Sequence, residues 1–236
     1  MAVNLEAVKE ARYGTLADLG MDEKELVERY EKVFTAAVND VLREMNYVYQ
    51  TLPNNIMPLR DEMKVAGVAF TLKGSKSLDL TDEMIDRARM LQAITPGSVC
   101  VWDTSNDDES AQWGEIMTLA SMQRGCRGAV VDGGIRDTDR ILKLGFPVFC
   151  RYRSSNGMAG RFRMIGYQMP IRVGNVQIVP GDIIFGDIDG VIVIPRNIAK
   201  EVLIKAEAIR DNEVGVKAMV TSGLSPVEVV KQGGYF

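Results

Sequence analysis

The sequence predicts an α/β domain with a mixed sheet. Three observations point there: an apolar stripe at three- and four-residue spacing near the N-terminus, short strand-like apolar runs alternating with helical segments in the middle, and a hairpin signal in the third quarter. Over residues 22–45, Leu26, Val27, Tyr30, Val33, Phe34, Ala37, Val38, Val41 and Leu42 recur on one helical face, so a single long helix is expected. Pro53 and Pro58 then break the pattern and bound a loop. Residues 65–71 read as a strand and 82–93 as a helix with Met84, Ile85, Ala88 and Leu91 inward. Pro96 and Gly97 turn the chain into a strand over 98–102. A helix over 114–124, a strand over 128–131, a short helix over 138–144 and a strand over 147–150 follow. Gly174-Asn175 between 171–173 and 176–179 marks a hairpin. Pro180-Gly181 leads into 182–185, 191–194 is a buried-type strand ended by Pro195, and an amphipathic helix runs from 198 to about 210. No internal repeat or low-complexity segment occurs.

Composition narrows the chemistry. The chain has 236 residues, 46% hydrophobic and 25% charged, and no histidine. That length suits one large domain or two small ones, and a globular chain of this size can bury about 70% of its unfolded surface. Without histidine there is no Ser-His-Asp or Cys-His nucleophile pair, no HExxH motif and no His-rich zinc site. An acid or base must be a carboxylate, lysine, tyrosine, cysteine or water, and a bound metal should be oxygen-held, favouring Mg²⁺ or Mn²⁺ over zinc. The net charge of −4 argues against a nucleic-acid partner; Arg151, Arg153, Arg161 and Arg163 form too short a basic stretch to read as such a surface. Cys100, Cys126 and Cys150 stand singly, which argues for a reducing compartment and for packing as small hydrophobes. No run of 18 apolar residues and no leader pattern is present, so a cytoplasmic, soluble protein without a membrane partner is expected.

The most informative stretch runs from Arg124 to Asp137. Strand residues lead into Gly133-Gly134, and Arg136 and Asp137 follow where loops of an α/β sheet form a ligand crevice. The glycines allow close approach of the backbone to a ligand. Arg136 suits a carboxylate or an oxyanion, and Asp137 a hard cation. The plain alternative is a solvated pair, with Asp137 capping the helix that starts at Thr138. Upstream, Gln112-Trp113-Gly114-Glu115-Ile116-Met117 opens a helix whose free N–H groups could seat a carboxylate, with Glu115 facing the same site; otherwise Glu115 only complements the helix dipole and Trp113 packs. Gly74-Ser75-Lys76-Ser77 lacks phosphate-loop spacing, and the glycines at 125, 128, 133 and 134 do not form GxGxxG.

Taken together, Gly114-Glu115-Ile116-Met117, Arg124-Gly125 through Asp132-Gly133, and Gly134-Ile135-Arg136-Asp137 resemble the signature of the RraA-like family. That family includes the class II 4-hydroxy-4-methyl-2-oxoglutarate/4-carboxy-4-hydroxy-2-oxoadipate aldolases. Val65-Ala66-Gly67-Val68-Ala69, Thr95-Pro96-Gly97-Ser98-Val99 and the block from Pro180 to Pro195 are similar to further family segments, in the same order. The resemblance implies one domain over 1–236, with 1–34 a helical N-terminal extension and 35–231 the family-like region. It implies a swivelling β/β/α-type fold and assembly as a homotrimer or homohexamer with sites between subunits. By residue, it implies that Asp137 holds Mg²⁺ or Mn²⁺ and that Arg136 contacts the 2-oxo acid and offsets enolate charge. The Gly114, Glu115, Ile116 and Met117 segment would seat the pyruvyl carboxylate, with Glu115 holding water of the metal's shell. A glutamate from a neighbouring C-terminal helix completes the aldolase site, and Glu213 is the match, with Glu207 the other candidate.

The activity implied is metal-dependent retro-aldol cleavage of a 4-hydroxy-2-oxo acid to pyruvate and a second oxo acid, with oxaloacetate decarboxylation as a side activity. Two alternatives stand beside it: a non-enzymatic regulator that binds RNase E and inhibits RNA processing, and a lyase or hydratase of a polyhydroxy acid on the same metal site. The chain departs from the family after Pro147-Val148-Phe149, where Cys150-Arg151-Tyr152 and then Arg153-Ser154-Ser155-Asn156-Gly157 replace a glycine-containing run. That segment is expected to shape the distal pocket.

Overall fold

A computed structural model of the chain describes residues 4–8 and 16–236. Residues 1–3 and 9–15 of the expected N-terminal extension lie outside them. Where periodicity predicts one helix over 22–45, two form, α1 (Glu23–Tyr30) and α2 (Thr35–Glu44). Asp22 caps α1, its Oδ1 accepting from Glu25 N at 2.9 Å. Between the helices Phe34 is extended (φ −132°, ψ 153°). The start of α2 is held from far along the chain, because Asp187 accepts from Thr35 N (2.8 Å) and Thr35 Oγ1 (2.7 Å). The stripe survives the break, since Leu26, Tyr30, Ala37 and Leu42 all bury in one apolar cluster.

Among the described residues, nine strands form one mixed sheet. They are β1 (Met57–Pro58), β2 (Val65–Lys76), β3 (Ser98–Asp103), β4 (Ala111–Trp113), β5 (Gly128–Ile135), β6 (Val148–Arg153), β7 (Phe162–Tyr167), β10 (Ile183–Asp187) and β11 (Gly190–Ile194). The order is β1-β6-β5-β3-β2-β10-β11, with β4 added to β5 and β7 to β2. Strands β2, β3, β5 and β6 run parallel, and β10 returns antiparallel on β2. Leu52 N bonds Val191 O (2.9 Å) and Met57–Pro58 pairs with β6, so the segment between them nearly closes the sheet. The hairpin β8 (Ile171–Val173) and β9 (Val176–Ile178) forms where Gly174-Asn175 predicts it. Its apolar residues pack on Val99, Val101, Val130 and Phe149. On another face lie α3 (Glu83–Ala93), α4 (Glu115–Gln123) and α5 (Thr138–Leu144), and the chain ends in α6 (Ala199–Thr221) and α7 (Pro226–Lys231). None of the helices among the described residues is long and apolar enough to cross a membrane.

Several elements differ from expectation, for tertiary reasons. Strand β2 continues to Lys76 because β7 pairs with its second half. Strand β5 continues to Ile135 because β4 and the end of β6 flank it, so the double glycine lies inside the strand. Accordingly Gln112 and Trp113 belong to β4, and the helix opens at Glu115. On α3 the buried residues are Glu83 and Met90, whereas Met84 (64%) and Ile85 (47%) are exposed, Ala88 is exposed and Leu91 is half-buried. Helix α6 runs eleven residues past Arg210, and α7 follows with a Ser225–Glu228 capping box. The three cysteines are buried and unlinked, as expected, with Cys100 and Cys126 sulfurs 3.7 Å apart.

Asp182, in the turn after Pro180, carries a pH signature. It is buried and accepts from Val179 N (2.9 Å) and Arg196 N (3.2 Å), yet burial outweighs these bonds and pushes its carboxyl up to about 6. A native pKa above the unfolded value of about 3.9 means that the folded state binds the proton more tightly. Stability from this group therefore rises as pH falls through about 6 and is lost as pH rises. Relative to Asp182→Asn, the wild type should gain about 1 kcal/mol of unfolding free energy between pH 7 and pH 5 in urea titrations. A difference between the two proteins that does not change with pH would contradict this.

Candidate active site

The site forms where β5 ends beside β4. Gly133 and Gly134 are needed there for internal packing rather than for a ligand. A Cβ on Gly133 would meet Gln112 Oε1 at 2.4 Å, and one on Gly134 would meet Tyr152 Cε2 at 2.4 Å. Gln112 uses that space to join the loop before β4 to β5: its Nε2 donates to Asp107 Oδ2 (2.6 Å) and its Oε1 accepts from Gly134 N (2.9 Å).

Arg136 N donates to Trp113 O (2.9 Å), which ties the exit of β5 to β4. Asp137 then takes a left-handed conformation (φ 56°, ψ 32°), tolerated by aspartate better than by most residues. It stands at the cap position of α5, yet its side chain makes no capping bond to that helix. Its Oδ2 accepts instead from Glu115 N (3.3 Å) at the start of α4, and Arg136 Nε lies 3.7 Å from the same oxygen. Gly114 makes this approach possible, because a Cβ there would sit 2.8 Å from Asp137 Oδ2. Trp113 is locked beneath by its indole N–H, which donates to Thr118 Oγ1 (2.8 Å).

These residues border a cavity of about 280 Å³. Of the residues singled out in the sequence, Gly114, Ile116, Met117, Arg136 and Asp137 all line it. Glu115 takes part through its N–H, while its carboxylate turns to Arg140 Nη1 at 3.1 Å and does not line the cavity. Glu207 and Glu213 lie on α6 and do not line it either. Glu207 is held by Arg29 (2.6 and 2.9 Å), whose guanidinium keeps its carboxyl below the usual range; Glu213 pairs with Lys217 at 2.7 Å. Gly157, Met158 and Ala159, from the segment that departs from the family pattern and just beyond it, complete one wall. A second hollow of about 410 Å³ shares Arg136 and Asp137 and is lined by Arg153, Ser154 and Ser155 of the same segment.

One wall is read differently in the sequence. Met84, Arg87, Ala88 and Leu91 of α3 border the cavity, with Leu91 also packed on the core. The sequence reading puts Ile85 on that face and does not single out Arg87; the arginine one turn after Glu83 was the available sign that the face meets a polar space. Among the described residues no group of three or more Cys, Asp or Glu is placed to hold a metal ion, and Asp137 is the one carboxylate that lines this cavity.

Comparison with known proteins agrees with this architecture. Residues 35–193 match the RraA-like family, described as Aldolase/RraA. Protein DlpA of Legionella pneumophila is 32% identical over 169 residues, 72% of this chain, although the chain spans only 28% of that protein. A Halalkalibacterium halodurans protein named "Putative 4-hydroxy-4-methyl-2-oxoglutarate aldolase" is 32% identical over 86% of this chain and 98% of its own length. A solved structure described as novel cellulases from microbes associated with the gut ecosystem has 47% identity and a TM-score of 0.86, covering 90% of this chain and 96% of that one. A Streptomyces coelicolor structure, described as an unusual member of the RNase ES inhibitor RraA family, shows 26% identity and a TM-score of 0.77 over 84% of this chain and 99% of its own. The family match spans more than half of the sequence and includes the Gly114–Asp137 cavity wall, so the chain belongs to the RraA-like family.

Proposed function

We propose that this protein is a divalent-metal-dependent lyase that cleaves a 4-hydroxy-2-oxo acid to pyruvate and a second oxo acid, with oxaloacetate decarboxylation as a side activity. The observation that carries this reading is the Asp137 carboxylate, which turns from its own helix to the N-terminus of α4 with Arg136 beside it. Asp137 fits a hard cation: Oδ1 has no protein partner among the described residues, and the donor is oxygen. Mg²⁺ and Mn²⁺ bind through one or two carboxylates, with water and substrate filling the remaining positions. When bound, the ion would supply Lewis acidity toward the 2-oxo group.

The chain's own groups account for the other requirements. The N–H groups of Ile116 and Met117, in the first turn of α4, have no acceptor within the helix and seat the substrate carboxylate. Arg136 makes no side-chain hydrogen bond within the described residues, and its Nη1 lies 2.8 Å from where a Cβ on Gly157 would be. It stabilises the negative charge that develops on the 2-oxo oxygen as the C3–C4 bond breaks. The 4-hydroxyl proton leaves to water, C4 becomes the second carbonyl, and C3 takes a proton from water to give pyruvate; the Glu115 carboxylate, held by Arg140, takes no direct part. No imidazole is needed at any step.

The similarity to the H. halodurans protein supports this reading. Glycoside hydrolysis, suggested by the description of the gut-microbe structure, needs two carboxylates flanking the scissile bond, whereas Asp137 is the one acid lining this cavity among the described residues. In a lactate dehydrogenase-coupled assay, oxaloacetate and 4-hydroxy-4-methyl-2-oxoglutarate should yield pyruvate that EDTA abolishes and added Mn²⁺ or Mg²⁺ restores. No metal-dependent pyruvate from either substrate overturns the proposal. Absence of turnover together with retention of RNase E in a pull-down would instead favour the regulator reading suggested by the S. coelicolor likeness.

A further inference from the structure

We infer that Arg87 is a second anion anchor in the cavity and selects 2-oxo acids that carry a distal carboxylate. The inference rests on the cavity being a 2-oxo acid site. Arg87 lines the cavity with Arg136 and Asp137, yet its side chain is only 16% exposed. Its Nη2 donates to Glu83, one helical turn back and itself 4% exposed. Glu83 is its only hydrogen-bond partner among the described residues, and Nε is buried without an acceptor. A guanidinium presents five donors in a fixed fork, so most of this one's capacity is unused.

The electrostatics argue for an anion at this point. Burial, and then the nearby charge of Arg136, lower the proton affinity of Arg87. Arg87 and Arg136 line the cavity with one carboxylate, Asp137, while Glu83 behind the lining engages one donor of Arg87; a cation on Asp137 would make the lining more positive. A ligand with carboxylates at both ends gives Arg136 an anion and supplies acceptors for the donors of Arg87 that Glu83 leaves free. Its carbon chain would lie against Met84, Leu91, Met117 and Met158, which are apolar. A monocarboxylate of equal length leaves Arg87 with its Glu83 bond alone and its remaining donors unused, and sites built for a polar group reject analogues that lack it. Glu83 positions the guanidinium and does not itself line the cavity.

Calorimetric titration of the Mn²⁺-supplemented protein with 2-oxoglutarate and with 2-oxopentanoate, the same chain without its distal carboxylate, tests this. Wild type should bind 2-oxoglutarate at least about tenfold more tightly, and Arg87→Gln should reduce that ratio to about two or less. The double variant Glu83→Gln/Arg87→Gln, which leaves no buried carboxylate unpaired, should behave like Arg87→Gln and guards against simple misfolding. Glu83→Gln alone should keep most of the preference. A wild-type ratio near one, or a ratio unchanged in both Arg87 variants, overturns the assignment. Binding of both compounds with equal affinity would remove the role of Arg87 and leave the 2-oxo acid reading standing. If wild type binds neither, the 2-oxo acid reading falls and the assignment falls with it.

Discussion

Asp137→Asn is expected to lower kcat/KM for metal-dependent pyruvate release by ~100-fold or more while the protein stays folded. Asparagine tolerates the left-handed backbone at this position nearly as well as aspartate, and its amide oxygen can still accept from Glu115 N. What it lacks is the negative charge, which is what a hard cation requires of a lone protein ligand. Mn²⁺ affinity, followed by titration, should fall in parallel, and the thermal midpoint should shift little. Asp137→Ala is the harsher test, because alanine in that conformation costs about 1–2 kcal/mol in addition. Turnover within threefold of wild type in the asparagine variant, with Mn²⁺ still bound, would remove Asp137 from the metal site.

Arg136→Met should produce a loss of similar size, ~100-fold or more, expressed mainly in kcat. The guanidinium contributes where charge develops, so the transition state loses more than the bound substrate does. Arg136→Lys should recover part of the loss, since the charge remains and the planar fork does not. Stability should change little, because the side chain is half exposed and its ion pair to Asp137 spans 3.7 Å, a contact worth about 0–1 kcal/mol. A raised KM with unchanged kcat would mean that Arg136 binds ground and transition states equally, contrary to its assigned role.

The motif residues divide into two physical groups. Arg136, Asp137 and Gly114 meet at the cavity, and Gly114 is demanded there by the 2.8 Å approach of the carboxylate. Asp182, Asp187, Gly133 and Gly134 belong to the frame. Asp182 ties the turn before β10 to Arg196, Asp187 holds the start of α2, and the two glycines admit Gln112 and Tyr152. Spacing along the chain does not separate the groups, since Gly134 and Arg136 are near neighbours in sequence and do different work.

The sequence by itself determined the alternation of helices and strands, the β8–β9 hairpin, the extent of α5 and the burial of the cysteines, because each depends on local periodicity or turn chemistry. It also bounded the chemistry: without histidine, an acid or base must be a carboxylate, lysine, tyrosine, cysteine or water. The tertiary structure decided what periodicity cannot express. Strands β1, β4 and β7 exist through pairing with distant partners, and the break between α1 and α2 is held by Asp187, 152 residues from Thr35. Which way Glu115 turns and what the stripe of α3 faces were decided in the same way. A repeat of three and four residues reports which side chains share a face. Whether that face meets apolar core or a cavity with two arginines depends on neighbours brought in by the fold.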